Sequence, residues 1–159
     1  MAAEPARYET VAFPALLRQA RRAYARATMT ALAEAGCDDM PRNGSYVLAA
    51  SARHGAQLGH IIRELGVSKQ AAGQLIDTLV SRGYLDRSVD PRDRRRLTIS
   101  LTERGAAAAD VIGAAVSEVD ARLLARVSAE QVGHARAVLS ALIGLDADLG
   151  AGPDRPARA

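Results

Sequence analysis

The chain has 159 residues, of which 48% are hydrophobic, 3% aromatic and 25% charged, and its formal net charge is +3. This composition is typical of a water-soluble globular protein and excludes a disordered or fibrous chain. No run of about 18 apolar residues predicts a membrane span, and the opening MAAEPARYET lacks the apolar centre of a secretory signal. We therefore expect a cytoplasmic protein without a membrane partner. One cysteine, Cys37, excludes an internal disulfide and a cysteine-based zinc cage.

Helical periodicity dominates the first third of the chain. Apolar residues recur every three or four positions from Val11 to about Ala35, which predicts one long helix that Gly36 ends. Pro41 disfavours helix at the residue before it and suits a helix start. A second helix is therefore predicted from about Arg42 to Arg53.

The next segment has the pattern of two short helices joined by a glycine turn. Leu58, Ile61 and Leu65 give the first helix an apolar face, and Gly66 ends it. Ser68 is predicted to cap the second helix, since its hydroxyl can accept a backbone N–H of the first turn, and Gly83 is the predicted stop. The inward face of this second helix is predicted to consist of Ala72, Leu75, Ile76, Leu79 and Val80.

A charged β-hairpin is predicted directly after that helix. Residues 84–87 are strand-like, residues 96–101 alternate polar and apolar side chains as a half-buried strand does, and residues 90–93 form the turn. Beyond it, Thr102 is the predicted N-cap of a long helix that reaches about Val127. The S-x-x-Q sequence from Ser128 to Gln131 predicts a capping box and a last helix.

The predicted fold class is mainly α with a small β-hairpin wing: a winged helix-turn-helix DNA-binding domain plus a helical dimerisation domain. The predicted boundaries are 1–40 for the N-terminal dimerisation helix, 41–102 for the winged helix-turn-helix, 103–149 for the C-terminal dimerisation helices and 150–159 for a disordered tail. The three long helices each carry an apolar stripe that the small winged unit cannot cover alone.

The outer face of the second short helix has the side chains needed to read double-stranded DNA. Gln70, Gly73, Gln74 and Asp77 fall at i, i+3, i+4 and i+7, opposite the apolar stripe, and a glutamine amide can form two hydrogen bonds with adenine in the major groove. The alternative interpretation is a solvated helix face. Gly73 would allow a close approach of the backbone to DNA. Phosphate contacts are predicted from Ser68, Lys69, Arg92 and Arg96.

The hairpin favours the DNA-binding interpretation. Residues 82–104 contain seven arginines and four acidic residues, an excess of three positive charges. An arginine-tipped loop beside a recognition helix can enter the narrow minor groove, where negative potential is concentrated. We therefore predict that Arg94 or Arg95 of the wing enters the minor groove.

Three sequence strings resemble the MarR (multiple antibiotic resistance regulator) family of bacterial transcription factors. They are ELGVSKQ at 64–70, LVSRGYLDR at 79–87, and DPRDRR at 90–95 leading to LTERG at 101–105. The resemblance implies a transcriptional regulator, usually a repressor, in which Asp93 orients Arg95 for the minor groove. It also implies a homodimer on a pseudo-palindromic operator, with the first and the last two helices of both subunits interlocked.

The resemblance further implies release from DNA by a small phenolic or lipophilic effector. Phe13, Tyr24 and Tyr46 are candidates to line its pocket, although a core position is the favoured interpretation of each. No cofactor is predicted.

Other functions are less well supported by the residues. His54, His60, His134 and Cys37 lack the tight spacing of a metal site, and no nucleophile motif or phosphate-binding glycine loop indicates an enzyme. Two alternatives stay open: a winged-helix module that binds proteins, and a redox-sensing regulator that uses Cys37. The arginine-rich wing argues against the first, and the missing aromatic setting argues against the second.

Overall fold

The computed structural model describes residues 8–54, 67–89 and 97–150. Within these ranges lie five helices and one two-stranded antiparallel sheet, so the mainly α fold with a hairpin is confirmed. The elements are α1 (Phe13–Glu34), α2 (Gly44–His54), α3 (Lys69–Ser81), β1 (Leu85–Val89), β2 (Leu97–Leu101), α4 (Glu103–Leu124) and α5 (Ala129–Gly150). The predicted helix at 58–65, the hairpin turn at 90–93 and the tail after Gly150 lie outside the described residues.

Glycines end α1 and α3 in the same way. Gly36 and Gly83 have φ values of 74° and 70°, in the left-handed region that glycine enters without a steric penalty. The amide of Cys37 donates to the Leu32 carbonyl at 2.8 Å, and the amide of Tyr84 donates to the Leu79 carbonyl at 2.9 Å. Each end is therefore a Schellman motif, as the predicted stops required.

Helix α2 begins at Gly44, two residues later than predicted. The amides of Asn43 and Gly44 both donate to the Pro41 carbonyl, at 3.0 and 2.7 Å, which makes a tight turn of the residues predicted to be helical. Helix α4 likewise ends at Leu124, before the predicted Val127, because the last amides turn back onto the Leu123 carbonyl.

One apolar core joins α1, α2, α3, the hairpin and the first half of α4. Its most buried side chains come from all of these elements: Leu32, Val47, Leu48, Ile76, Leu79, Tyr84, Leu85 and Ile99, with Ala108 and Ile112 of α4. The predicted inward face of α3 is confirmed, since Ala72, Ile76 and Leu79 are fully buried and Leu75 and Val80 pack partly against the core.

The hairpin is short and in regular register. Leu85 is paired with Leu101, Arg87 with Ile99 and Val89 with Leu97. Thr102 then caps α4, because its hydroxyl accepts the amide of Gly105 at 3.0 Å, as predicted. Helix α3, the hairpin and α4 thus follow one another closely: only residues 82–84 separate α3 from β1, and only Thr102 separates β2 from α4.

The chain divides into two compact units, residues 1–119 and 120–159. In the second unit the predicted capping box is confirmed: the Ser128 amide donates to Gln131 Oε1 at 2.8 Å, and the Gln131 amide donates to Ser128 Oγ at 3.1 Å. Helix α5 leaves large apolar side chains exposed, and Ile143 has 73% of its surface accessible. None of the helices in the described ranges is long and apolar enough to span a membrane.

Candidate nucleic-acid interface

Helix α3 presents a polar face opposite its buried stripe. Lys69, Gln70, Gln74 and Asp77 are exposed, whereas Ile76 and Leu79 on the other side are completely buried. The helix therefore holds these four polar residues on an outward surface while its apolar face is fixed in the core. The side chains predicted to read bases are thus available to a partner.

Ser68, just before α3, and Gly73, inside it, affect the stability of this helix in opposite directions. Ser68 caps the helix, as predicted, because its hydroxyl accepts the amide of Ala71 at 3.2 Å. A side chain at Gly73 would meet no atom within 4 Å, so packing inside the protein does not require glycine there. An interior glycine costs a helix about 1 kcal/mol relative to alanine.

An ion pair connects α3 to the first strand of the wing. Arg87 Nη2 of β1 donates to Asp77 Oδ1 of α3 at 2.6 Å, and the two side chains are 38% and 63% exposed. Asp77 was predicted to lie in the major groove, and its pairing with Arg87 was not predicted. In this structure the carboxylate and the guanidinium neutralise each other on the polar side of α3.

A polar junction at the base of the wing is built around Tyr84. The Tyr84 hydroxyl donates to Asp39 Oδ1 at 2.6 Å, and the same oxygen accepts from Arg104 Nη2 at 2.9 Å. The Arg104 guanidinium lies over the Tyr84 ring, 4.2 Å from its centroid. Arg104 also donates to the Arg82 carbonyl at 2.5 Å, and Arg82 donates to the Asp39 carbonyl. The segment before α2, the end of α3 and the start of α4 therefore meet at one point.

The junction shifts two acid–base equilibria. The hydrogen bond from Tyr84 lowers the pKa of Asp39 below its ordinary value, and Arg104 acts in the same direction. Burial raises the pKa of the Tyr84 phenol, and its bond to the Asp39 carboxylate raises it further. The neutral phenol and the ionised carboxylate are thus the stable pair over the ordinary pH range.

We expect the stability of the fold to decrease at alkaline pH because of Tyr84. Since the folded pKa is raised, the unfolded chain releases the phenol proton first, so the stabilisation present below about pH 10 is lost as the pH rises through the folded pKa. Denaturant unfolding between pH 8 and 11.5 should show a decrease steeper in the wild type than in Tyr84→Phe, by up to about 1.4 kcal/mol per pH unit. Identical pH dependence in both proteins would refute the assignment.

The arginine-rich tip of the wing is not among the described residues. Arg92, Asp93, Arg94, Arg95 and Arg96 all fall between the two strands, outside the described ranges. What the structure describes is the pair of strands on either side of that segment, including the contact between Ser88 Oγ and Thr98 Oγ1 at 2.8 Å. The roles assigned to these five residues therefore stay predictions.

The residues suggested for an effector pocket are dispersed. Phe13 and Tyr46 are 46% and 42% exposed, so the favoured core position is wrong for both within this chain; Phe13 begins α1, and Tyr46 faces a surface cleft. Tyr24 is half-buried and does not line that cleft. Arg18 and Arg22 of α1, four residues apart, line the cleft instead.

Cys37 is buried in the core of the first compact unit. Cys37 is 7% exposed and belongs to the core cluster, which limits the access of oxidants to the thiol. In the described ranges, no three His, Cys, Asp or Glu side chains are grouped closely enough to hold a metal ion. His60 lies outside those ranges.

A known protein family matches the segment that contains α3 and the first wing strand. The family model described as the MarR family matches residues 38–96, which include the polar junction residue Asp39, all of α3 and the first wing strand. Over residues 38–96 the chain is similar to the MarR family. The predicted resemblance is thereby confirmed, and α3 with its exposed polar face lies inside the matched segment.

Solved structures of MarR-family regulators share the fold over most of the chain. S. aureus MepR in complex with DNA is 20% identical, with a TM-score of 0.68 over 84% of this chain and 97% of that one. The PcaV regulator from Streptomyces coelicolor, in complex with its natural ligand, is 23% identical, with a TM-score of 0.61 over 93% and 98%. Apo MarR from E. coli is 20% identical, with a TM-score of 0.59 over 84% and 98%. No curated protein sequence matches the chain.

Proposed function

We propose that this protein is a sequence-specific DNA-binding transcriptional regulator and not an enzyme. The observation that carries the proposal is the exposed polar face of α3 in a segment similar to the MarR family, with a two-stranded wing directly after it. Gln70, Gly73 and Gln74 contact base edges in the major groove, Ser68, Lys69, Arg92 and Arg96 contact phosphates, and Arg94 or Arg95 enters the minor groove. The protein acts in the cytoplasm, where the chromosomal DNA of bacteria is located.

The proposed regulator is a homodimer on a pseudo-palindromic operator. Large apolar side chains are exposed on the long helices outside α3: Phe13 on α1, Leu123 and Leu124 on α4, and Val138, Leu142 and Ile143 on α5. A second copy that covers these side chains would remove apolar surface from water, which stabilises an assembly. Two-fold symmetry of the protein then matches two operator half-sites about one helical turn apart.

The proposed mode of action is repression relieved by a small molecule. A protein that occupies an operator blocks access to a promoter, and an effector releases it only if it binds the DNA-free arrangement more tightly than the DNA-bound one. PcaV, which shares the fold, was solved with its natural ligand. That likeness supports an effector for this protein as well.

A fluorescence-anisotropy titration tests the proposal. Purified full-length protein is titrated against a labelled fragment of the intergenic DNA upstream of its own gene, at two salt concentrations and with excess unlabelled nonspecific duplex. We expect binding that survives the competitor and weakens with salt, by about 0.9 in the log–log slope per phosphate contact. Binding that the competitor abolishes would contradict operator recognition and favour a winged-helix module for protein partners.

Removal of the Asp77 carboxylate tests whether this residue contacts a DNA base or only neutralises the charge of Arg87. Because Asp77 pairs with Arg87, Asp77→Ala deletes a negative charge from the DNA-facing side and frees a guanidinium. We expect affinity for nonspecific duplex to rise severalfold and the salt slope to steepen by up to about 0.9. Asp110→Ala on α4 changes the net charge equally and should have little effect. If Asp77 reads a base instead, operator affinity will fall while nonspecific affinity stays constant.

A further inference from the structure

A cleft separates α1 from the segment that leads into α2. Its volume is about 780 Å³, within the range of about 300–1,000 Å³ that small-molecule sites occupy. One wall is the middle of α1, from Leu17 to Met29, and the other runs from Met40 to Tyr46. All of it lies in the first compact unit and outside the proposed DNA-reading face.

The walls of the cleft are strongly cationic. Arg18, Arg21 and Arg22 line one side, where positions i, i+3 and i+4 share a helix face, and Arg42 lines the other. No aspartate or glutamate is found among its described lining residues. No described carboxylate pairs with Arg18, Arg22 or Arg42, and Arg21 lies over the Tyr46 ring at 5.3 Å from its centroid. Four like charges are therefore gathered without a counter-charge from the described parts of the chain.

The same walls offer apolar surface between the charges. Leu17, Met29 and Met40 line the cleft together with the Tyr46 ring, and Asn43 and Ser45 add neutral polar groups. A guanidinium presents parallel N–H donors that match a carboxylate or a phosphate, and thioether side chains adapt to irregular apolar shapes. The chemistry thus suits a molecule with several anionic groups on a compact apolar body.

We propose that this cleft binds a small organic anion with at least two negative charges, a polycarboxylate or a phosphomonoester, with an aromatic or other compact apolar body. A neutral phenolic effector would leave the four guanidinium charges unbalanced, and a monoanion would balance one of them. One part of this proposal rests on the proposed function, namely that the bound anion acts as the effector. Binding itself is independent of DNA.

Isothermal titration calorimetry of the full chain with benzoate, phthalate and benzene-1,2,4-tricarboxylate tests the charge requirement. Ionic strength is held constant, and phthalamide serves as an uncharged control. We expect affinity to increase with each carboxylate, by about tenfold in total from benzoate to the tricarboxylate, and no binding of phthalamide. Phenyl phosphate forms a parallel arm: tighter binding than that of phthalate, its equal in charge, assigns the ligand to phosphomonoesters, and weaker binding assigns it to polycarboxylates.

Two variants and one matched control test the location. Arg22→Gln and Arg42→Gln should each weaken tricarboxylate binding at least about fivefold, because each removes one charge from opposite walls. Arg26→Gln removes an exposed arginine from the same helix, one turn beyond Arg22 and outside the cleft lining, and should bind as the wild type does. Equal losses in all three variants, or equal affinity for benzoate and the tricarboxylate, would overturn the proposal.

DNA titrations and size-exclusion chromatography of the same variants distinguish the other occupants. If Arg22→Gln and Arg42→Gln bind DNA more weakly and the wild type does not bind the tricarboxylate, the arginines contact phosphates, and the inference fails while the proposed function stands. If Arg22→Gln and Arg42→Gln change the oligomeric state instead, a second copy of the chain fills the cleft and the inference fails. Tricarboxylate binding by a protein that binds no operator would support the inference and overturn the proposed function.

Discussion

Gly105→Ala is expected to destabilise the protein by at least about 3 kcal/mol, because a Cβ at this position cannot be accommodated. An added methyl group would lie 1.9 Å from the Tyr84 carbonyl oxygen and 3.0 Å from the carbonyl carbon. Both are backbone atoms, and the same oxygen also accepts the amide of Thr102 at 3.1 Å. The start of α4 would have to move away from the wing, which would open the junction around Tyr84.

Gly113→Ala is the matched control on the same helix. A Cβ at Gly113 would meet no atom within 4 Å, so the substitution should only improve helix propensity and stabilise by up to about 1 kcal/mol. Urea denaturation at one protein concentration measures both changes. If the free energies of unfolding of the two variants differ by less than about 1 kcal/mol, the close approach of Gly105 to the Tyr84 carbonyl does not restrict this position to glycine.

Replacing both Arg94 and Arg95 by alanine is expected to abolish operator binding. Each arginine that enters a groove or pairs with phosphate contributes about 1–3 kcal/mol, so the double substitution should weaken binding by a factor of about 30 or more and reduce the salt slope by up to about 1.8. The reduced slope reports the lost phosphate neutralisation directly. Anisotropy titrations at several salt concentrations give both quantities.

The control for the wing removes the same two charges elsewhere. Arg126→Ala with Arg136→Ala changes exposed arginines of the second compact unit, in the turn before α5 and on α5. This protein should bind the operator with nearly the wild-type affinity. Retained affinity with an unchanged salt slope in the Arg94 and Arg95 variant would eliminate the proposed role of the wing.

Local sequence patterns were sufficient to predict most elements of the fold. The left-handed glycines at 36 and 83 and the caps at Ser68, Thr102 and Ser128 each follow from the chemistry of nearby residues. The start of α2 was misplaced because the turn at Pro41 depends on two amides sharing one carbonyl. The helix propensities of Arg42 and Asn43 do not indicate that two amides will bind the same carbonyl.

The candidate site was predicted only where its residues are close in sequence. The outward face of α3 follows from helical periodicity, whereas Arg87 reaches Asp77 through the pairing of the wing, and Asp39 meets Arg104 across 65 positions. Contacts of that kind depend on the tertiary fold and leave no periodic signal. The cationic cleft was missed for the same reason, since Arg42 joins the arginines of α1 only after the chain turns at Gly36.

The junction around Tyr84 sets limits on any fragment prepared to study the winged helix-turn-helix alone. Asp39, Arg104 and Gly105 all fall outside the boundaries 41–102 predicted for that domain, yet they hold the phenol, cover its ring and seat the next helix. A fragment cut at those boundaries would retain a buried tyrosine hydroxyl without its acceptor, at a cost of about 1–3 kcal/mol. An autonomous fragment should therefore begin before Asp39 and extend beyond Ile112, the last fully packed residue of the core.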